Sequence, residues 1–382
     1  MGFRCGIVGL PNVGKSTLFN ALLSTMQAEA ANYPFCTIEP NVGRVAVPDE
    51  RLQKLADIAS SATIIPTQLE FVDIAGLVRG ASKGEGLGNK FLAHIREVDA
   101  ILYVLRCFED SDVVHVEGRV DPVRDADVVE TELLLADLES LEKRLSATQK
   151  KAKGGDKEAA SQLSLMERVL PILNGSKPAR SVDLRDASER KILDQLQLLT
   201  AKPVMYVCNV DESSAKSGNA MSAQVEVVAA GRQAPCVVVS AKIEAEISML
   251  PGDADKQEFL AAIGLEETGL SRVIKAGYEL LDLVTYFTVG PKETRAWTIT
   301  SGTLAPQAAG VIHTDFEQGF IRAETIAYDD YITLGGEAGA KKAGRFRLEG
   351  KEYPVKDGDV LHFRFSICRS PRLETAGHAR DR

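Results

Sequence analysis

Residues Gly9-Leu-Pro-Asn-Val-Gly-Lys-Ser16 have the types and spacing of a phosphate cradle. They follow a short apolar run, residues 3–8, and open a stretch from Ser16 to Leu23 that reads as a helix. Glycines at 9 and 14 let the backbone wrap closely, so that consecutive N–H groups point at the α- and β-phosphates of a nucleotide. Lys15 would reach the β/γ-phosphates, Ser16 would hold Mg2+ beside them, and the helix N-terminus adds its dipole. The expected phosphate-binding set is Asn12, Val13, Gly14, Lys15, Ser16 and Thr17.

Two further groups complete a hydrolase reading. Asp73-Ile-Ala-Gly76 ends a predicted strand, where the carboxylate can bind Mg2+ and the Gly76 N–H can face a γ-phosphate. Thr37 lies between cradle and Asp73, and is placed as a switch residue whose hydroxyl joins the metal shell only when a γ-phosphate is present. Lys15, Gly14 and Gly76 would neutralise charge developing in an in-line attack by water. Many GTPases carry a Gln after this glycine to orient that water; here the residue is Leu77, which cannot polarise water. Intrinsic turnover should therefore be slow without another group. The glycine-rich run Arg79 to Gly88 reads as a switch segment.

The base site departs from a guanine reader. Asn-Lys-x-Asp is replaced by Asn209-Val-Asp-Glu212, with Val210 at the Lys position and Glu212, one methylene too long, at the Asp position. Ser240-Ala-Lys242 looks like the last base-contacting loop. A site without the Asp loses its preference for guanine, so ATP is expected over GTP, with Asn209, Val210, Glu212, Ser240 and Ala241 at the base. The rival is a GTPase in which Asp211 or Glu212 still reads guanine. A third reading, kept alive by Leu77, is a nucleotide-sensing binding module that scarcely hydrolyses.

These residues need a scaffold. Short apolar runs at 3–8, Leu69–Asp73, Ile101–Leu105, Val204–Cys208 and Cys236–Ser240 predict a parallel sheet covered on both faces. The signatures fall at strand C-terminal ends, where open α/β sheets bind ligands. Leu134, Leu138, Leu141 and Leu145 form one helical stripe, and Leu163, Met166 and Leu170 a second that Pro171 and Pro178 break. Between them Gly154-Gly155 predicts the tip of an inserted antiparallel helical hairpin, and Ile192, Leu196 and Leu199 a further short helix. Beyond Tyr286, runs near 298–303, at Gly310–His313 and at Val355–Phe365 read as strands of a separate α+β domain, with a hairpin-type turn at Asp357-Gly358.

The bulk numbers set limits. The chain has 382 residues, 45% hydrophobic and 26% charged, enough for two or three domains with real cores. A formal charge of −9 confines nucleic-acid contact to local patches. Two such patches are Lys150, Lys151, Lys153 and Lys157 at the hairpin tip, and Lys341, Lys342, Arg345, Arg347 and Lys351 near the end. Six scattered cysteines (Cys5, Cys36, Cys107, Cys208, Cys236, Cys368) suggest neither zinc nor a disulfide framework. No apolar run approaches a membrane span, and a cytoplasmic protein is expected.

The motifs closely resemble the YchF / Obg-like ATPase family of translation-factor-related P-loop NTPases (TRAFAC class). They include Tyr33-Pro-Phe-Cys-Thr-Ile-Glu-Pro-Asn41, Asp73-Ile-Ala-Gly-Leu-Val78 and Gly80-Ala-Ser-Lys-Gly-Glu-Gly-Leu-Gly-Asn89, and the likeness runs from Met1 to about Phe365. His313-Thr-Asp-Phe-Glu-Gln-Gly-Phe-Ile-Arg322 resembles that family's TGS domain, a β-grasp module. The resemblance implies an α/β P-loop G domain (1–125 and 200–281), an inserted helical hairpin domain (126–199) and a C-terminal α+β TGS domain (282–366), acting as a ribosome-binding ATPase. It further implies that Asn209-Val-Asp-Glu212 is the family's ATP-favouring base motif, that His115 is a catalytic substitute for the missing Gln, and that Asn12 coordinates an activating K+. A monomer contacting ribosomal RNA is expected. The polar tail at 367–382 has no family counterpart and reads as disordered.

Overall fold

The computed structural model describes residues 3–30, 41–74, 87–110 and 118–366. In chain order its strands are β1 (Arg4–Val8), β2 (Val42–Ala46), β3 (Thr63–Ile65), β4 (Gln68–Asp73), β5 (Ala100–Arg106) and β6 (Val204–Asn209). They continue with β7 (Cys236–Val239), β8 (Leu283–Val289), β9 (Glu293–Thr300), β10 (Phe320–Ala327), β11 (Arg347–Glu349) and β12 (Asp359–Phe365). The helices are α1 (Lys15–Ala30), α2 (Glu50–Ala59), α3 (Leu87–Glu97), α4 (Pro122–Lys153), α5 (Lys157–Asn174), α6 (Ala187–Leu196) and α7 (Ala220–Gly231). After them come α8 (Ala241–Ser248), α9 (Asp253–Ala262), α10 (Gly269–Leu280), α11 (Ala305–Ile312), α12 (Thr314–Gln318), α13 (Tyr328–Thr333) and α14 (Glu337–Lys342).

The chain divides into two compact units, one of Gly2–Pro48 with Gln68–Asp282, the other of Asp49–Thr67 with the chain from Leu283 on. The first is built on a sheet of order β2-β4-β1-β5-β6-β7. From β4 to β7 neighbouring strands are parallel. β5 is buried at every position, which its unbroken apolar run requires of a strand covered on both faces. The edge strand β2, which the apolar runs did not reveal, is antiparallel to β4. It alternates half-buried and buried residues, so its pattern is too dilute to read as a core strand.

Between β5 and β6 the helical insertion forms as expected, with α4 and α5 joined at Gly154-Gly155. Leu134, Leu141, Leu165, Met166, Val169 and Leu173 share one core, and Leu138, Leu145 and Leu170 pack at its margin. Pro171 does not end the second helix; α5 runs on to Asn174, because Leu173 is held in that core. At the root of the hairpin the buried Asp137 carboxylate accepts from Leu199 N and Thr200 N, both at 2.7 Å, and from the Thr200 hydroxyl. Beside it Glu130 bridges Arg180 and Arg232.

The second unit has the sheet order β11-β10-β12-β8-β9-β3. An initial hairpin (β8, β9), a helix (α11), then β10, β11 and a last strand returning to lie beside the first is the β-grasp order. Two expectations are corrected here. Gly310–His313 is the end of α11 and not a strand, because Ala305, Ala308 and Ala309 present a helical face to the core. Asp357-Gly358 turns the chain, with Gly358 at φ +84, but joins no hairpin, since β12 pairs with β10 and β8. Asp357 is instead engaged by Thr285 N at 2.9 Å and by Arg51 at 2.6 Å.

The larger correction concerns residues 49–67, which the domain boundaries place inside the P-loop domain. They are part of the β-grasp unit. β3 lies parallel to β9, and Leu52 and Leu55 of α2 are buried with Phe287, Ala296, Ile326 and Val360. Asp49 caps α2, and Ser61 donates to Gly290 O at 2.8 Å.

Candidate functional site

The cradle is built where β1 gives way to α1. A Cβ at Gly9 would stand 2.4 Å from the Val104 carbonyl oxygen, so β5 leaves room there only for glycine. Gly14 has φ +93, and a Cβ on it would meet the Asn209 amide nitrogen at 2.2 Å. Asn12 is also left-handed, with φ 61. Leu18 N donates to Gly14 O at 3.0 Å, which makes Gly14 the helix cap and leaves the N–H groups of Lys15, Ser16 and Thr17 without an intrahelical acceptor. Ser16 and Thr17 are exposed at this helix mouth, an arrangement suited to an anion.

Lys15 is buried, and its ammonium donates to the Leu10 carbonyl at 2.7 Å, folded back along the loop. Burial lowers its pKa, against which Asp73 acts to raise it. Asp73 is the last residue of β4, in register with Ile7 of β1, and its N–H donates to Asn41 O at 2.9 Å. Its Oδ1 is buried without a hydrogen-bond partner among the described residues. Burial raises the Asp73 pKa, and Lys15 partly offsets this. A desolvated carboxylate lacking a donor, beside a cation that can swing to phosphate, fits a divalent ion with oxygen ligands.

The base loop is organised by Asn209 at the end of β6. This buried amide donates to Val13 O at 2.9 Å and accepts from Ala241 N at 2.9 Å, tying the cradle to the start of α8. Asp211 turns inward to its own loop, accepting from Ser214 N and the Ser214 hydroxyl, both at 3.1 Å, and from the Ser213 hydroxyl. Those hydroxyls hold its pKa below the usual carboxylate range. Glu212 pairs with Lys242, which likewise lowers the pKa of the carboxyl. Val210 is buried, as is Ser240, whose Oγ has no hydrogen-bond partner among the described residues although it stands at the N-cap of α8.

The structure thus brings together Asn12–Thr17, Asp73, Asn209–Glu212 and Ser240–Lys242, which come from the cradle after β1 and from the ends of the parallel strands β4, β6 and β7. Thr37, Gly76, Leu77 and His115 lie outside the described residues, as do the tail from 367 and most of the glycine-rich run. Motif spacing did not reveal that Asn209 braces the cradle, since its partners are main-chain atoms distant in sequence. The Asp211 turn was legible in principle, because Asp followed by Ser-Ser is a local Asx-type pattern.

Comparison with known proteins follows the same outline. A family model described as "50S ribosome-binding GTPase" matches residues 4–151. The model YchF-GTPase_C, described as "Protein of unknown function (DUF933)", matches residues 283–366. Proteins named "Ribosome-binding ATPase YchF" are 59% identical in Haemophilus influenzae and 55% in Bacillus subtilis, each alignment covering 96% of this chain and 100% of the relative. The solved "Structure of the Schizosaccharomyces pombe YchF GTPase" superposes with a TM-score of 0.85 at 38% identity, covering 95% of this chain and 98% of that one. A cradle of this geometry, on this sheet, with such identity over nearly all of this chain, makes this protein a member of the YchF family of P-loop NTPases.

Proposed function

We propose that this chain is a cytoplasmic ribosome-binding ATPase, hydrolysing ATP to ADP and phosphate as a switch in translation. The observation that carries the nucleotide choice is the base loop: Asp211 is held in its own turn by Ser213 and Ser214, and Glu212, one methylene too long, stands at the Asp position. A GTPase reading needs one of these carboxylates to accept from guanine N1–H and the 2-amino group, whereas adenine asks for neither. Relatives and solved neighbours carry both words, ATPase and GTPase, in their names; the base loop favours the first.

Mg2+ would be held by Ser16, Asp73 and Thr37, and when bound it supplies positive charge to the β- and γ-phosphate oxygens. Lys15 would leave Leu10 O for those phosphates, and the N–H groups of Gly14 and Gly76 would stabilise charge on the transferring group. Asn12, Val13 and Thr17 line the cradle; Asn209 and Ala241 hold its far side, with Val210, Glu212 and Ser240 around the base. His115 is the proposed substitute for the Gln absent at Leu77, and Asn12 the proposed ligand of K+.

For the ribosome, the hairpin tip is the stronger candidate surface. Lys150, Lys151, Lys153 and Lys157 are exposed, and among the described residues they have no ion-pair partner. In the C-terminal set Lys341 pairs with Glu337, Arg345 with Asp330, and Arg347 with Glu349 and Asp359. We take the chain to act as a monomer, with the tip meeting ribosomal RNA phosphates.

Titration with MgATP and MgGTP, followed by single-turnover hydrolysis with and without ribosomes and in K+ against Na+, tests this reading. Tighter ATP binding with faster turnover on ribosomes is expected. Equal affinity for GTP would remove the base-site argument. Hydrolysis unmoved by ribosomes and by K+ would favour the nucleotide-sensing module.

A further inference from the structure

Strands β2 and β4 are antiparallel neighbours, paired from Val42↔Val72 to Ala46↔Gln68. Two residues are enough to join such a pair. This chain instead runs through residues 47–67 between them, and Asp49–Thr67 is folded into the β-grasp unit. The two strands therefore form one ribbon of the first unit, and the chain that joins them passes through the β-grasp unit. One end carries Asp73 and its bond to Asn41 O at the phosphate site. At the other end, β2 leads into Asp49 through Val47-Pro48, and Pro66-Thr67 is the short link from β3 back to β4. Each connector contains a proline, which locks its own φ and restricts the residue before it. Val47 and Thr67 are buried as well.

What the ribbon leads into is firmly held. Leu52 and Leu55 lie in the β-grasp core, Arg51 bridges Asp49 and Asp357, and Ala62 N donates to Pro291 O at 3.0 Å. The phosphate end is the less satisfied one, because Asp73 Oδ1 has no donor among the described residues. Binding there adds restraint at one end of a ribbon whose other end is covalently continuous with that segment.

We propose that the β2–β4 ribbon couples the phosphate site to the β-grasp unit, so that a bound nucleoside triphosphate with Mg2+ reduces the opening of residues 49–67. No displacement is needed; restraint of Asp73 suppresses fluctuations along the ribbon, and the embedded segment opens less often. The proposal rests on the reading of Asp73 as part of the metal and γ-phosphate site.

Hydrogen exchange on the full chain, with no nucleotide, with Mg2+ and ADP, and with Mg2+ and a non-hydrolysable ATP analogue, tests it. Amides of Glu50–Ala59 and Thr63–Ile65 should exchange slower with the triphosphate than with the diphosphate by roughly fivefold or more, the lower end of ordinary coupling between sites. Cradle amides protected by both nucleotides, with residues 49–67 unchanged, would overturn the proposal and leave the ATPase reading standing. Failure of either nucleotide to protect the cradle would overturn both. Replacing the connector prolines together, Pro48→Gly with Pro66→Gly, should shrink the difference at 49–67 while cradle protection persists. A difference that survives this change means the connectors do not carry it, and the proposal falls.

Discussion

Asn209 donates its side-chain amide to Val13 O at 2.9 Å, and through this bond the loop after β6 holds the phosphate cradle formed after β1. The same side chain accepts from Ala241 N at 2.9 Å, so one buried residue locks three loops. Asn209→Ala would leave a buried carbonyl and a buried N–H without partners, a loss of about 1–3 kcal/mol for each group left unsatisfied. Thermal melting of the unliganded protein should register it. ATP and GTP titrations should weaken together, because the brace shapes the cradle and not the choice of base. Selective loss of ATP would show instead that Asn209 reads adenine.

Base choice should respond to the neighbouring positions. Val210→Lys with Glu212→Asp restores the guanine-reading residue types, and the ratio of ATP to GTP affinity should fall by about tenfold or more, since a site built for guanine's donors rejects bases lacking them. Lys242→Ala alone removes an exposed pair of small energetic weight, so a change of less than about threefold is expected. Fluorescent-nucleotide displacement measures both. An unchanged ratio in the double variant would place base selection elsewhere.

Asp73→Asn separates catalysis from stability. The folded-state pKa of Asp73 is raised, chiefly by burial, so its ionisation opposes folding. The group's contribution to stability is fully present below the ordinary Asp value of about 3.9 and is lost as pH rises through the raised folded value. At neutral pH the unliganded Asn variant should therefore melt no lower than the parent, and the gap between them should close in acid. Its Mg2+-dependent hydrolysis should drop by about 100-fold or more. A variant that melts well below the parent at neutral pH would contradict this account of the carboxylate.

The root of the hairpin should be fragile at Asp137. Its carboxylate takes two main-chain N–H groups and a hydroxyl in a buried setting. Asp137→Ala should cost about 3 kcal/mol or more, because several buried donors lose their acceptor at once. Limited proteolysis between α4 and β6 should accelerate, whereas the cradle should still bind nucleotide. Proteolysis at the parental rate would show that other contacts anchor the insertion.

Charge reversal of Lys150, Lys151, Lys153 and Lys157 to Glu should weaken sedimentation with ribosomes and flatten its salt dependence, with melting within about 0.5 kcal/mol of the parent, as for most surface changes. Undiminished ribosome binding would move the contact away from the tip.

Much of this molecule is local, and what is local was legible. The cradle, the strand ending in Asp73, the departure at Asn209-Val-Asp-Glu212 and the hairpin turning at Gly154-Gly155 all follow from residue type over a few positions. Glycine spacing, apolar period and turn chemistry act within one element, so reading them needs no knowledge of neighbours. Two helical features were misread for the same reason. Pro171 and Gly310–His313 looked like a breaker and a strand until the cores that hold Leu173 and Ala305–Ala309 overrode local preference.

Tertiary structure alone decided the rest. The engagement of Glu212 by Lys242, the brace from Asn209 to Val13 and the passage of residues 49–67 into the β-grasp sheet each join groups that are distant in sequence. Residues 49–67 form an amphipathic helix and a short apolar strand, which would suit either unit; only the complementary face formed by Phe287, Ala296, Ile326 and Val360 selects one. The sequence by itself determined that a loop with the residue types and spacing of a phosphate cradle runs from Gly9 to Ser16. Which groups brace that cradle, and which sheet takes up the chain between β2 and β4, depended on partners that the chain meets only once folded.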